Sequence, residues 1–309
     1  MHNSEAKPND WLSRIAFDET VANYTSQRGE DRILQKLFET IGIKNKWCAE
    51  FGAADGKHRS NTWYWINKQG WFGVQIEAAR DVNLGLRIPW HDSFEALRRR
   101  YKNNKKIVCF NKWVGTKGEN ALDQIFRETG IPKDFDLLSM DVDGAEYDIW
   151  QAMVEYKPRV MVIEYDKTIP VEIDFHSDRG SSLRALARLG REKGYELAAA
   201  NDLNGVFVRK EFFGMLGISD NDPARLWSGY EQYRVYAQKN NKGSLEFFGP
   251  NNLRWVSGKD GTLRGQFESG QYIWIKPGET SIKSKKENSK MTWYLTGWLR
   301  HWFYYLTGT

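Results

Sequence analysis

Residues able to do chemistry are gathered at three places in this 309-residue chain: Trp47-Cys-Ala-Glu-Phe-Gly-Ala-Ala-Asp-Gly56, Asp141-Val-Asp-Gly144, and Glu164-Tyr-Asp166 with the loop behind it. The first is an apolar strand running into a glycine-bracketed turn, where open α/β sheets hold a ligand. Gly52 and Gly56 allow backbone angles or a close approach that a side chain would block. Charge then discriminates between ligands. A Walker A loop has four residues between its glycines and then Lys-Ser/Thr, whereas three intervene here and Gly56-Lys57 runs into His58. A dinucleotide loop turns its amides toward a pyrophosphate, and Gly52-Ala53-Ala-Asp55-Gly56 would set a carboxylate against two phosphates. S-adenosyl-L-methionine has no phosphate and carries an ammonium and a sulfonium, for which Glu50 and Asp55 are acceptors, so it suits the turn better than ATP or NAD. Glu77 agrees: it ends the buried-strand pattern Gly70-Trp-Phe-Gly-Val-Gln-Ile-Glu77, twenty-one residues past Gly56, where nucleotide folds hold ribose hydroxyls.

These residues carry a family resemblance. Glu50-x-Gly52-x-x-x-Gly56 resembles motif I of class I S-adenosylmethionine-dependent methyltransferases. Ser26-Gln-Arg-Gly-Glu-Asp31, Ser60-Asn61-Thr62, Asp141-Val-Asp-Gly144 and Val162-Ile-Glu-Tyr-Asp166, in that order, resemble the FkbM-like branch, and the similarity covers about residues 24–213. The resemblance implies a Rossmann-like class I methyltransferase fold, a seven-stranded, mostly parallel sheet of order 3-2-1-4-5-7-6. It implies a cofactor site that includes Asn61 and, at the adenine end, Asn111. It also points to a sugar hydroxyl of a cell-surface glycan or glycosylated metabolite as acceptor.

The acceptor should approach where the fourth and fifth strands end. Asp141 and Asp143 fall on one side of an extended chain, and together with Glu164 their hard oxygens suit Mg²⁺ or Mn²⁺. The metal-free alternative has Asp143 capping the helix from Gly144 while Asp141 orients substrate. Methyl transfer to a hydroxyl needs a base, for which Asp141 is the first candidate and His58 and His176 are rivals. Thr168–Asp178 reads as part of an acceptor-site lid over 167–180. The Asn/Asp-Pro-Pro-aromatic signature of nucleobase amine methylation is missing from Asp141-Val-Asp-Gly144, and an acidic site repels a nucleic-acid backbone. No nucleic-acid partner is therefore expected.

Alternating elements must position these groups. The pattern predicts strands at 47–51, 72–76, 106–110, 136–140 and 159–164, helices at 60–68, 93–102, 119–128, 145–155 and 181–193, and a closing hairpin, 195–200 with 205–209. Ahead of them, Ser26 can cap a helix with Glu30 and Asp31 in its first turn and Ile33, Leu34, Leu37, Phe38 and Ile41 on one face, ending at Gly42. Residues 1–24 are either a flexible arm or a helical cap.

Four organisational units follow: an arm and capping helix (1–46), the methyltransferase domain (47–213), an accessory module (214–280), and a basic linker with an aromatic tail (281–309). In the third, a helix over Pro223–Asn240 precedes short apolar runs that read as a small antiparallel module, serving acceptor binding, dimerisation or simple packing. Of the formal net charge of +5, the last unit holds five Lys/Arg against Glu287, so the body is nearly neutral. If helical, residues 291–309 are amphipathic and aromatic, suited to a membrane surface or a membrane-bound glycan-assembly partner; a helix packed on its own body or in a homodimer is the alternative. No N-terminal apolar segment suggests export, and Cys48 and Cys109 read as small hydrophobes in buried strands. The expected location is cytoplasmic, peripheral at the inner face of the membrane if the tail docks there. Two other classes stay open: a non-catalytic recruitment module on the same fold, and an NAD(P)-linked sugar oxidoreductase.

Overall fold

The computed structural model describes residues 10–78, 93–142, 144–167, 169–177 and 180–229, together with the backbone of six short strands between 236 and 284. Residues 1–9, Asp143, most of 230–309 and the expected tail helix lie outside the described residues.

The chain opens with α1 (Trp11–Arg14), continued by a 3-10 turn over Ile15–Phe17, and α2 (Glu30–Ile41). Of the two readings of the N-terminus, the helical cap is the one found for 11–17: Leu12 and Ser13 are buried, and the Ser13 hydroxyl accepts from Ala200 N at 3.0 Å. The predicted apolar face of α2, Ile33 through Ile41, is buried throughout. Its N-cap is not Ser26 but Gly29, in the left-handed region at φ 83°, where an added Cβ would lie 2.2 Å from the Ala16 carbonyl oxygen. Ser26 still caps from a distance: its hydroxyl accepts from Asp31 N at 2.9 Å, and the Asp31 carboxylate accepts from the amides of Tyr24, Thr25 and Ser26. This reciprocal arrangement satisfies amides that a helix start leaves open.

The alternation follows: β1 (Trp47–Phe51), α3 (Trp63–Asn67), β2 (Phe72–Ile76), α4 (Ser93–Tyr101), β3 (Ile107–Phe110), α5 (Leu122–Arg127), β4 (Leu137–Met140), α6 (Glu146–Ala152) and β5 (Val160–Glu164). A two-residue ladder, β6 (His176–Ser177) with β7 (Gly180–Ser181), leads into α7 (Leu183–Glu192), then β8 (Tyr195–Ala200), β9 (Asn204–Arg209) and the short α8 (Lys210–Phe213). The main sheet has the order β3-β2-β1-β4-β5-β9-β8. Counting without the small ladder, this is 3-2-1-4-5-7-6, the class I methyltransferase arrangement that the resemblance implies. Strands β1 to β5 are parallel, and β9 is antiparallel to β5 and β8. Every residue of β4, and all of β1 but Trp47, is buried, as expected of strands covered on both faces.

One buried carboxylate ties the amino edge of this sheet together. Asp136 accepts from the amides of Lys44, Asn45 and Lys46 at 2.7–2.9 Å and pairs with Arg159 at 2.7 Å, so β1, β4 and β5 begin from one anchor. Arg159 also donates to the last carbonyls of α2, Ile41 and Gly42.

The predicted helix over 223–240 is corrected. Among the described residues of this span only α9 (Pro223–Leu226) is helical, capped by Asp222, and Trp227 turns extended to bridge Ala200, while Tyr236–Lys239 is a strand. Leu226 is buried and Trp227 Nε1 donates to the Tyr165 hydroxyl at 2.9 Å, so this segment packs with the sheet rather than apart from it. By compactness the chain divides into residues 1–235 and 236–309. The second unit is a six-stranded antiparallel meander, β10 (Tyr236–Lys239), β11 (Leu245–Phe248), β12 (Arg254–Ser257), β13 (Leu263–Gln266), β14 (Tyr272–Ile275) and β15 (Lys283–Ser284). Lys283-Ser284, expected in a solvated linker, pairs with β14.

Candidate active site

Parallel strands deliver their carboxyl ends to one edge, and there β1 and β4 nearly touch. Gly52 lies at φ 73°, and a Cβ on it would fall 1.6 Å from the Asp141 carbonyl oxygen; Asp141 N in turn donates to Phe51 O at 3.3 Å. Only glycine can supply both the angle and the clearance. Gly56, at φ 74°, leaves room for Leu97 and Tyr101 of α4, each 2.7 Å from where its Cβ would stand. Buried Ala53 donates its N–H to Ile76 O at 3.2 Å, and Ala54, itself at φ 46°, donates to the Glu77 carboxylate at 2.8 Å. The turn is thereby pinned to β2 and to the acid that follows it.

Glu50 is buried, and the following segment closes on it. Its carboxylate accepts from Ser60 Oγ at 2.6 Å, Thr62 Oγ1 at 2.7 Å and Asn61 N at 2.8 Å. Burial pushes the Glu50 carboxyl up, against the pull of these hydrogen bonds. Asn61 Nδ2 reaches Ser139 Oγ of β4 at 3.0 Å, while its Oδ1 is buried without a partner. The Thr25 hydroxyl donates to Ser60 O at 2.8 Å and Tyr24 stacks on Tyr64 at 4.5 Å, so the segment ahead of α2 clasps the far side of the same turn.

Asp55 differs from the charge argument that singled it out. One oxygen accepts from Lys57 N and His58 N, closing its own turn, and the other pairs with Arg100 at 2.7 Å; Arg100 also donates to Asp55 O. Burial would raise its carboxyl, but these amides and the Arg100 guanidinium hold it below the usual range. A carboxylate already neutralised by a guanidinium is a weak attractor for a second cation. Its evident work is to shape the turn.

Asp141 is exposed at the end of β4. The loop behind it depends on a residue that the sequence reading passed over. Glu146, buried in the first turn of α6, accepts from Val142 N at 2.8 Å and Gly144 N at 3.1 Å. Burial, together with Asp141, pushes it up to about 7, despite those amide bonds. Its signal was an acid two residues past a strand-end glycine, at a helix start where carboxylates serve orphan amides.

The two histidines are far apart in role. His58 stands beside the turn, where partial burial of its ring and the Arg59 charge lower its affinity for a proton against the opposing Asp55. His176 stacks on Tyr147 of α6 with centroids 3.9 Å apart, and Arg188, paired with Asp174, donates to the Tyr147 hydroxyl. The lid segment is thus fastened to α6; Thr168, Asp178 and Arg179 lie outside the described residues. Asn111 is exposed just past β3, and Glu164 ends β5 opposite Asn204 of β9. Among the described residues no group of three or more His, Cys, Asp or Glu is gathered to hold a metal, and Asp143 lies outside them. The expected Asp141, Asp143 and Glu164 set for Mg²⁺ or Mn²⁺ therefore has no support among the described residues.

Residues 117–197 match the model of the methyltransferase FkbM domain, a span from α5 through β4, Asp141–Gly144 and β5 into β8. No curated protein matches the sequence. Solved structures similar to the chain include a SAM dependent methyltransferase from Aquifex aeolicus, at 10% identity and a TM-score of 0.33, covering 57% of this chain and 88% of that one. A ribosomal protein L11 methylase from Lactobacillus delbrueckii subsp. bulgaricus aligns at 12% identity and a TM-score of 0.36, over 60% and 80% of the two chains. A precorrin-6y C5,15-methyltransferase from Geobacter metallireducens aligns at 12% identity and 0.33, over 62% and 94%. The sheet order is thus that of the class I methyltransferase fold, and within it residues 117–197 are similar to the methyltransferase FkbM domain.

Proposed function

We propose that the protein is an O-methyltransferase whose acceptor is a sugar hydroxyl of a glycan or glycosylated metabolite. The observation that carries this reading is the meeting of Gly52 and Asp141 at the carboxyl ends of β1 and β4, which puts an exposed carboxylate beside the glycine turn. The turn's residues fit S-adenosyl-L-methionine on two counts: Gly52 leaves a cradle that a Cβ would fill, and Asn61 Oδ1 is a buried acceptor without a partner. Glu77, Asn61 and the backbone of 52–56 would hold it, and Glu50 would act on it through the Ser60–Thr62 segment that it fixes.

When bound, the cofactor supplies an electrophilic methyl group. Transfer to a hydroxyl would need the acceptor oxygen held against that methyl group and its proton passed to a base of this chain. Asp141 is the first candidate for that base, since its carboxylate ends the strand that abuts the turn. His58 is the nearer of the two imidazoles in sequence and has a lowered affinity for a proton, while His176 stands on the lid side of α6.

Calorimetric titration with S-adenosylhomocysteine and, separately, NAD⁺ tests the cofactor class. Transfer of labelled methyl from S-adenosyl-L-methionine to glycan acceptors, with linkage analysis of the product, tests the acceptor. Binding of the homocysteine nucleoside and an alkali-stable methyl ether are expected. NAD⁺ binding alone, or label confined to amines, would overturn the proposal.

A further inference from the structure

The near-neutral body of the protein hides a strong local charge. Between Ser93 and Lys106 the sequence holds six basic residues, Arg98, Arg99, Arg100, Lys102, Lys105 and Lys106, against the single acid Glu95. Helix α4 (Ser93–Tyr101) carries the three arginines, and the turn after it the three lysines. Leu97 and Tyr101 are buried against the glycine turn, with the Tyr101 hydroxyl donating to Gly56 O at 2.9 Å, while Arg98, Arg99, Lys102, Lys105 and Lys106 are exposed. Arg100 is withdrawn from that array by its pairing with Asp55, and Arg98 has only an exposed i,i+3 partner in Glu95, a contact worth little in water.

The neighbouring helix extends the charge. Asn67 of α3 reaches the Tyr101 hydroxyl at 3.4 Å, so α3 and α4 lie side by side. Lys57 of the glycine turn and Lys68, the C-cap of α3, stand 5.5 and 5.9 Å from the ring of Trp63, the first residue of α3; Lys106, just ahead of β3, stands 5.2 Å from the ring of Phe72 at the start of β2 and donates to Gly70 O. A solvated surface ordinarily mixes signs for solubility; α4 and the turn after it expose five cations, Arg98 and Arg99 on the helix and Lys102, Lys105 and Lys106 beyond it, against the one exposed acid Glu95, which is a charge field.

We infer that the exposed surface of α4 and the turn after it, with the lysine-flanked edge of α3 and β2, docks the protein on an anionic phospholipid surface. Two observations favour a bilayer over a nucleic acid. The nearby rings of Trp63 and Phe72 each already have a lysine over them, so they are not open platforms on which bases would stack. The cations are long side chains exposed along α4 and the turn after it, the form in which juxtamembrane basic segments meet a diffuse layer of headgroups, each adding to the attraction. Docking by this face would hold the glycine turn, fastened to α4 through Gly56, Tyr101 and Arg100, close to the bilayer. The inference does not depend on which acceptor is methylated.

Co-sedimentation of the full-length chain with phosphatidylcholine vesicles, with and without added phosphatidylglycerol, tests it. The protein is expected to bind the anionic vesicles and to be released by salt. Reversal of Arg98, Arg99 and Lys102 to Glu should lower the partition coefficient by on the order of 100-fold, at about 1 kcal/mol per basic residue near the surface. The rest of the chain, residues 291–309 included, is common to both proteins, so the difference reads α4. A second variant, Lys102→Glu with Lys105→Glu, touches no helix-packing residue and should lose about 10-fold or more. S-adenosylhomocysteine affinity equal to the parent's shows that either variant is folded. Binding to neutral vesicles as strong as to anionic ones, variants that partition like the parent, or retention by RNA with no vesicle binding would each overturn the inference.

Discussion

At the scale of single residues, the carboxylates around the glycine turn divide by what they already hold. Asp55 forms its own turn and a guanidinium pair, so shape and charge can be separated. Asp55→Asn keeps an acceptor for Lys57 N and His58 N and is expected to retain S-adenosylhomocysteine affinity within about 5-fold; Asp55→Ala removes the acceptor and should lose 10-fold or more. Calorimetry distinguishes them, and an equal loss in both would return Asp55 to direct contact with the ligand's cation. Glu146 predicts a pH effect. Its proton is held up to about pH 7 in the fold and to about 4.5 when unfolded, so its contribution to stability is full below 4.5 and is lost as pH rises through 7. Between pH 5 and pH 8 the unfolding free energy of the parent, read from urea titrations, should therefore fall more than that of Glu146→Gln, by up to about 3 kcal/mol. Parallel pH profiles for the two proteins would show that the Glu146 carboxyl is not perturbed.

At the scale of elements, the sheet is anchored at one edge and functional at the other. Asp136 and Arg159 are both buried, and removing one partner leaves the other charged and uncompensated. Asp136→Ala should cost about 3–5 kcal/mol in denaturant unfolding without changing cofactor stoichiometry in the protein that remains folded. At the opposite edge Gly52→Ala adds a Cβ onto the Asp141 carbonyl and forces a left-handed angle, so β1 and β4 must part. Loss of S-adenosylhomocysteine binding with a retained far-ultraviolet circular dichroism spectrum is expected; normal affinity would show that the close approach is dispensable. Strand positions were legible because buried parallel strands read as short apolar runs between glycine and polar breaks. Helix limits were less so, as α3, α5 and α6 each begin one to three residues later than periodicity suggests. The residues ahead of them close turns and loops instead: Asn61 on Glu50, Asn120 on Gly115, and Val142 and Gly144 on Glu146.

At the scale of the molecule, residues 1–235 and 236–309 are separate compact units, and every cofactor-site residue proposed above belongs to the first. Deleting 291–309 is accordingly expected to leave S-adenosylhomocysteine affinity unchanged while lowering partition onto anionic vesicles; an altered affinity would place the tail at the cofactor site. Among the described residues no helix is long and apolar enough to cross a membrane.

Fold class, strand succession, the glycine turn and the acids at the strand ends were all readable from the chain, because each depends on local pattern: apolar runs, backbone freedom at glycine, and charge near a turn. Which acids face a ligand was not readable. Glu50 answers to Ser60 and Thr62 across ten or more residues, Asp55 to Arg100 forty-five residues on, and Glu30 to Asn201 and Asn204 at the far end of the sheet. A carboxylate's role is set by the donors that burial brings to it. Those donors arrive from distant segments, so only the tertiary structure could decide it.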